Sequence, residues 1–341
     1  MMTNRKAAVL VAGSWGTALA AVLADNGFDV ALWSRNEAQV DEINTHRSNS
    51  RYLKEAVLPA GIAATTDMKQ AVTGAELVLF VAPSAAMRDV AKQAAPFLDA
   101  AAIVVHATKG FESGTYKRMT TVLAEELSLP SDRLVVLSGP SHAEEVVRKL
   151  PTTVVVASTS KDAAERAQDA FITNYFRVYT NTDVVGVEVA GAIKNIIALG
   201  AGLSDGLGFG DNAKAALLTR GLAEISRLGN AMGANPLTFA GLAGVGDLVV
   251  TCTSKHSRNW RAGAMLAEGL SLEDVLGRMG MVVEGVRTTS TARELAQQYG
   301  VEMPITEQLY QVLFQQLGPR SAVETLMGRG RTHETEETAG I

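Results

Sequence analysis

The sequence predicts an α/β chain: a doubly wound sheet over residues 1–185, an all-helical part over residues 186–327, and a polar tail over residues 328–341, expected to be disordered. Three observations carry this. Short Val/Leu/Ala-rich runs recur through the first half with helical patterns between most of them, the alternation that builds a parallel sheet covered on both faces. A glycine-containing loop joins the first run to the first helix. From Gly186 the strand pattern stops and helices take over.

Lys6–Ala12 (KAAVLVA) is continuously apolar, as a strand buried within a parallel sheet must be. Gly13, Ser14, Trp15 and Gly16 follow, then a helix ending at Gly27 and a second strand, Asp29–Trp33. Strand, glycine loop, helix and strand within about thirty residues make one dinucleotide-binding βαβ unit. Backbone N–H groups at the start of its helix would face a pyrophosphate. Gly13 and Gly16 fill the second and third positions of a GxGxxG fingerprint, while Val11 stands at the first. Tight strand–helix packing would ask for the same glycines. Past the second strand come Ser34, Arg35 and Asn36, with no acid to hold a ribose 2′-hydroxyl; Arg35 suits a 2′-phosphate.

Further strands are expected at Glu76–Ala82, Ala102–Ala107, Arg133–Ser138, Thr152–Ala157 and Phe176–Thr180. Helices are expected at Met87–Leu98, Thr115–Leu127 and Lys161–Phe171. Ligands of such sheets bind beyond the carboxyl ends of the strands, where the loops Ala82–Ser84, Ala107–Gly110 and Ser138–Glu145 fall. Lys109 at a strand tip can meet an anionic ligand or be an ordinary turn lysine. Ser141 with Glu144 three residues on has the spacing of a capping box.

In the second half, Gly186–Gly200 (GVEVAGAIKNIIALG) is apolar nearly all round, the mark of a buried helix. Lys194 lies inside it, with Ala190, Gly191, Ile197 and Ala198 one turn away, so no acid on its own helix face can neutralise it. It must snorkel to water or point into a polar cavity. Next comes a long amphipathic helix from Gly210, with Asp211 or Asn212 as its cap. Asp247 then reads as part of a glycine-rich turn. Lys255, Ser257, Arg258 and Asn259 gather before a helix starting near Trp260, an arrangement suited to phosphate or to a solvated basic loop. Leu272–Met279, Ser290–Tyr299 and Thr306–Gln316 complete the expected helices.

Composition narrows the function. A chain of 341 residues with 47% apolar content can bury two cores. A net charge of −5 with mixed signs argues against nonspecific nucleic-acid binding. The single cysteine, Cys252, sits between Thr251 and Thr253 with no base beside it, and the five histidines lack metal-ligand spacing. Gly13–Gly16 interrupt the apolar N-terminus where a signal peptide would be continuous, and no other segment reads as a membrane span. A soluble cytoplasmic protein is expected.

The motifs GSWGTALA, HATKG, SGP, GAIKN, GLSDGLGFGDNAKAALLTRG, GLAGVGDLVVTCT, SRN and VVEG, in this order and spacing, resemble bacterial NAD(P)-dependent glycerol-3-phosphate dehydrogenase from about Lys6 to about Gly328. The resemblance implies a Rossmann-type domain and an all-α substrate domain, with NADPH/NADP or NADH/NAD as cofactor and no metal. The implied reaction reduces dihydroxyacetone phosphate to sn-glycerol 3-phosphate for glycerophospholipid synthesis, and a homodimer is compatible with it. By position, Gly13, Ser14, Trp15, Gly16 and Arg35 would hold the cofactor, joined by Lys109, Ala143, Arg258, Val282 and Glu284. Lys109, Gly139, Ser141, Lys194, Asp247, Ser257, Arg258 and Asn259 would contact substrate, with Lys194 as general acid/base. The family has glycine where this chain has Val11, which bears on cofactor affinity. Two rival readings are a related dehydrogenase acting on another hydroxy acid or sugar acid, and a catalytically silent NADP(H) sensor.

Overall fold

The computed structural model describes residues 5–331 and His333. The chain divides into two compact units, one of residues up to Glu112 with Lys117–Val184, the other of Ser113–Tyr116 with Val185 onward. The expected tail lies for its larger part outside the described residues; Gly328–Arg331 carry no regular structure.

The first unit is built on eight strands among the described residues, β1 (Arg5–Leu10), β2 (Phe28–Trp33), β3 (Ile62–Thr65), β4 (Leu77–Phe80), β5 (Ile103–His106), β6 (Leu134–Ser138), β7 (Thr152–Ala157) and β8 (Phe176–Asn181). Their order is β3-β2-β1-β4-β5-β6-β7-β8, parallel throughout except for the antiparallel pair β6–β7. Strand order reverses between β1 and β4, which run parallel, and this makes their carboxyl ends the switch point where such sheets bind ligands. Seven helices cover the sheet: α1 (Ser14–Asp25), α2 (Glu37–His46), α3 (Met68–Val72), α4 (Met87–Ala94), α5 (Met119–Leu127), α6 (Ala143–Val146) and α7 (Lys161–Phe171). Alternation along β1 divides the core. Ala7 and Val9 pack into one apolar layer with α1 and α7, Ala8 and Leu10 into the other with α3, α4 and α5.

Three elements of this unit escape the sequence pattern: β3, α2 and α3. Strand β3 is four residues long and pairs with β2 alone, so it carries little apolar signal. Helix α2 (EAQVDEINTH) buries a single residue, Ile43, and owes its start to Asn36, whose side chain accepts from Gln39 N.

The second unit is helical: α8 (Val184–Gly206), α9 (Gly210–Ala231), α10 (Asp247–Thr253), α11 (Arg258–Ala267), α12 (Leu272–Met279), α13 (Glu284–Tyr299), α14 (Pro304–Phe314) and α15 (Pro319–Met327). Helix α8 is its axis. A Cβ on Gly202 would lie 1.8 Å from the Trp260 carbonyl oxygen, and one on Gly263 would lie 2.0 Å from that of Leu199, so α8 and α11 touch backbone to backbone. On another face, Gly221 of α9 admits the Ile197 side chain. Among the described residues, α8 alone is long and apolar enough to cross a membrane by length and composition, which corrects the expectation that no such segment follows the N-terminus. It is buried within the protein.

One cap differs from expectation, and another comes from a distant residue. Helix α9 begins at Gly210 after Phe209 with no side-chain cap, and Asp211 lies inside its first turn. Helix α14 begins at Pro304 and takes its cap from a distance: Glu224 of α9 accepts from Ile305 N at 2.5 Å, Thr306 N at 3.1 Å and the Thr306 hydroxyl at 3.0 Å. Burial pushes the Glu224 carboxyl up to about 7 against the pull of these three donors.

Candidate functional site

In the first unit the glycine loop follows β1 and opens α1. Val11 N donates to Trp33 O, and Val11 takes a φ of 85°, a left-handed conformation that glycine adopts freely and a β-branched residue adopts only under strain. Gly16 is required by what lies above it, since a Cβ there would stand 2.2 Å from Val11 O. Gly13 is required by nothing in the protein itself, its Cβ direction being open for 4 Å. Helix α1 starts without a side-chain cap on its first-turn N–H groups. The Trp15 indole N–H is buried without a partner among the described residues. Open space over Gly13 and a helix start without a side-chain cap fit the pyrophosphate of a dinucleotide. Ser14 hydroxyl donates to Tyr52 O, and Arg35 stands exposed at the tip of β2.

The second cluster of this unit gathers on one carbonyl. Lys109, just beyond β5, donates from Nζ to Gly139 O at 3.1 Å, and the Ser141 hydroxyl donates to the same oxygen at 2.9 Å. Gly139 has a φ of 126°, and a Cβ on it would lie 3.0 Å from Val154 Cα, so glycine is required on both counts. The capping-box expectation for Ser141 fails. His142 is the N-cap of α6, no side chain caps it, and the Ser141 hydroxyl is committed to Gly139 O. Ala143 opens that short helix.

In the second unit Lys194 does not snorkel to water. It is 4% exposed and its ammonium is held between Asp247 Oδ1 at 2.7 Å and Thr251 Oγ1 at 2.6 Å. Asp247 does not lie in a turn either. A single π turn, Leu242–Gly246, runs directly into α10, and Asp247 is the first residue of that helix. Gly244 inside the π turn has non-helical φ and ψ, and its Cβ would lie 2.0 Å from Phe239 O. Only glycine lets the chain fold this tightly, and the fold aims Asp247 at Lys194. Thr251, one turn on, completes the pair by donating to Asp247 O at 2.6 Å while receiving the ammonium. Sequence reasoning passed over Thr251. Its spacing of four from Asp247 was the available signal.

Asn195, the next residue, leads to the anion cluster. Asn259 Nδ2 donates to Asn195 Oδ1 at 2.9 Å, and Asn259 Oδ1 accepts from Gly285 N at 2.9 Å, so one side chain joins α8, α11 and α13. Ser257 caps α11 by accepting from Trp260 N, and Arg258 Nη1 donates to Val282 O at 2.9 Å. Glu284 opens α13 two residues later. The start of α11 thus carries Ser257, Arg258 and Asn259, with Val282 O and Gly285 N hydrogen-bonded to it. Cys252 is buried, and desolvation pushes its thiol up to about 12, so it offers no nucleophile. Among the described residues no cluster of His, Cys, Asp and Glu could hold a metal.

Comparison with known proteins gives a consistent picture. A family model described as NAD-dependent glycerol-3-phosphate dehydrogenase N-terminus matches residues 6–164, and its C-terminus counterpart matches residues 183–324. The chain is 59% identical over 334 residues to "Glycerol-3-phosphate dehydrogenase [NAD(P)+]" of Geobacillus thermodenitrificans, covering 98% of this chain and 97% of the relative. It is 56% identical over 336 residues to the protein of the same name from Bacillus subtilis, covering 98% and 97%. Among solved structures, glycerol-3-phosphate dehydrogenase from Coxiella burnetii is similar with a TM-score of 0.91 at 41% identity, covering 96% of this chain and 99% of that one.

Proposed function

This chain belongs to the NAD-dependent glycerol-3-phosphate dehydrogenase family, and we propose on that premise that it interconverts dihydroxyacetone phosphate and sn-glycerol 3-phosphate with Lys194 as general acid/base. One observation carries the assignment: a lysine ammonium at the centre of an apolar helix, fixed by a carboxylate and a hydroxyl of α10. A fixed ammonium is a proton donor of defined direction. The cofactor, NADPH/NADP or NADH/NAD, supplies or receives the hydride at C2 when bound. As C2 gains hydride its oxygen gains negative charge, and Lys194 Nζ delivers the proton that makes the hydroxyl; in the reverse direction Lys194 takes it back. Asp247 and Thr251 hold the amine in place through both steps.

Ser257, Arg258 and Asn259 are proposed to receive the phosphate, where a charged side chain and a helix start act together. Binding energy gained at the phosphate, remote from the reacting carbon, orients the carbonyl. Lys109, Gly139 and Ser141 are assigned to substrate as well. Gly13, Ser14, Trp15, Gly16, Arg35 and Ala143 in the first unit are assigned to the cofactor, with Lys109, Arg258, Val282 and Glu284. Residues 1–185 form the cofactor domain and 186–327 the substrate domain in this reading. A cytoplasmic homodimer supplying the backbone of glycerophospholipids completes it, with light scattering as the check on assembly.

The test is oxidation of NADPH and NADH, measured separately with dihydroxyacetone phosphate and with unphosphorylated dihydroxyacetone. Turnover confined to the phosphorylated triose supports the reading. Binding of NADPH without turnover on any triose would sink it in favour of a cofactor sensor.

A further inference from the structure

Residues that bind a phosphate need a fixed frame, and the frame here is the first turn of α11. The packing beneath that turn is smooth. Gly202 and Gly206 of α8 meet the Trp260 backbone and Ala267 of α11, while Gly263 of α11 meets the Leu199 backbone of α8. Contacts between glycine and alanine faces bring helices close but offer no knob and hole to stop one from turning or sliding on the other.

Two side-chain ties supply that stop. Asn259 donates to Asn195, and the adjacent Trp260 donates from its indole N–H to Asp205 Oδ2 at 2.7 Å. Asn195 and Asp205 are ten residues apart on α8, about 15 Å along its axis. Neighbouring residues of α11 therefore grip α8 at two well-separated points, which fixes both the rotation and the position of the turn between them. The second grip is itself braced. Lys214 of α9 pairs with the other carboxylate oxygen, Asp205 Oδ1, at 2.8 Å. Neither Asp205 nor Trp260 has a part in the chemistry assigned above.

We propose that Asp205 and Trp260 are positioning residues for substrate phosphate: the Lys214–Asp205–Trp260 relay clamps the start of α11 so that Ser257, Arg258 and Asn259 present a preformed phosphate site. The proposal rests on the assignment of those three residues to phosphate. Lys194 is held separately, by Asp247 and Thr251 of α10, so loss of the clamp loosens substrate binding and leaves the proton donor in place.

Steady-state kinetics on the full-length enzyme with NADPH tests this. Trp260→Phe keeps an aromatic ring, though a smaller one, and deletes the donor. It is expected to raise KM for dihydroxyacetone phosphate about three- to tenfold, less than the full effect of a lost hydrogen bond to a charged group because the tie acts on the phosphate only through the helix start, with kcat within about twofold of the parent. Asp205→Ala should match it, Asp205→Asn should recover most of the loss because its amide oxygen still accepts, and Trp260→Phe with Asp205→Ala should be less than additive. Turnover of unphosphorylated dihydroxyacetone should be unaffected by all of them. An unchanged KM in Trp260→Phe overturns the clamp, as does an Asp205→Asn variant no better than Asp205→Ala, or equal impairment with both trioses. Arg258→Ala separates the two levels. If it leaves KM for the phosphorylated triose unchanged, the phosphate assignment itself fails. If it raises KM while Trp260→Phe does not, the positioning role fails alone.

Discussion

Lys194 and Asp247, 53 residues apart in sequence, form an ion pair of 2.7 Å with side chains only 6% and 2% exposed. A pair this deep is costly to break from one side, because the remaining charge stays buried without its partner. Lys194→Met should therefore do two things: reduce kcat by about a hundredfold or more, and lower stability by about 3–5 kcal/mol. Burial of a lone lysine would have argued the opposite sign for stability. Lys194→Met combined with Asp247→Leu should regain most of the stability and none of the activity. Chemical denaturation beside single-turnover hydride transfer measures both. A single mutant within a few-fold of the parent rate removes Lys194 from the mechanism.

Val11 gives a prediction about strain. A β-branched residue at a φ of 85° costs about 1–2 kcal/mol. Val11→Gly relieves it, less about 0.4–1 kcal/mol for the freer unfolded chain. A small net rise in melting temperature and tighter NADPH binding are expected. Gly16→Ala should do the reverse, its new methyl driven against Val11 O. Calorimetry and cofactor titration on the two variants provide the comparison, and weaker NADPH binding by Val11→Gly would show a loop adapted to valine.

Arg35, exposed just beyond β2, is the residue proposed to read a 2′-phosphate. Arg35→Ala should weaken NADPH more than NADH, by about 1.5–3 kcal/mol for loss of a charged phosphate partner. Equal losses for the two cofactors would mean that Arg35 reads no 2′-phosphate.

Glu224 makes stability depend on pH. Its folded value of about 7 lies above the ordinary carboxyl value of 4.5, so between the two the folded protein holds a proton that the unfolded chain has released. Its contribution is full below the ordinary value and is lost as pH rises through about 7. Stability should fall over that window in the parent, and the Glu224 part of the fall should vanish in Glu224→Gln. Urea unfolding at intervals from pH 4.5 to 8, about 0.5 units apart, gives the difference curve. A parallel slope in both proteins would place the buried proton elsewhere.

What could be read in advance was whatever the chain writes locally. The continuous apolar runs gave β1, β4, β5 and β7, and Ser257 before Trp260 marked the start of α11, because buried strands and caps constrain neighbouring residues. Gly16 was legible as a packing requirement, Val11 as a departure. The rest depended on distance. No periodicity connects Lys194 with Asp247 and Thr251, whose partnership exists only after α8 and α10 have packed. The π turn that aims Asp247 has glycines at irregular spacing and no period of its own. Likewise the cap of α14 is supplied by Glu224, 80 residues before Pro304, where no N-cap pattern could point to it.

Helix α8 carries one more consequence, for the newly made chain rather than the finished enzyme. Within its 23 residues an 18-residue stretch has a mean hydropathy of 1.6, enough to be taken for a bilayer segment while the helices that bury it are still unmade. Lys194 stands at the middle of that segment, where a lysine costs about 2.5–3.5 kcal/mol to insert into lipid, and Glu188 adds a second charge toward one end. The ammonium thus raises the cost of placing the nascent helix in lipid. The residue proposed as proton donor is also the one that most disfavours a bilayer for the nascent helix.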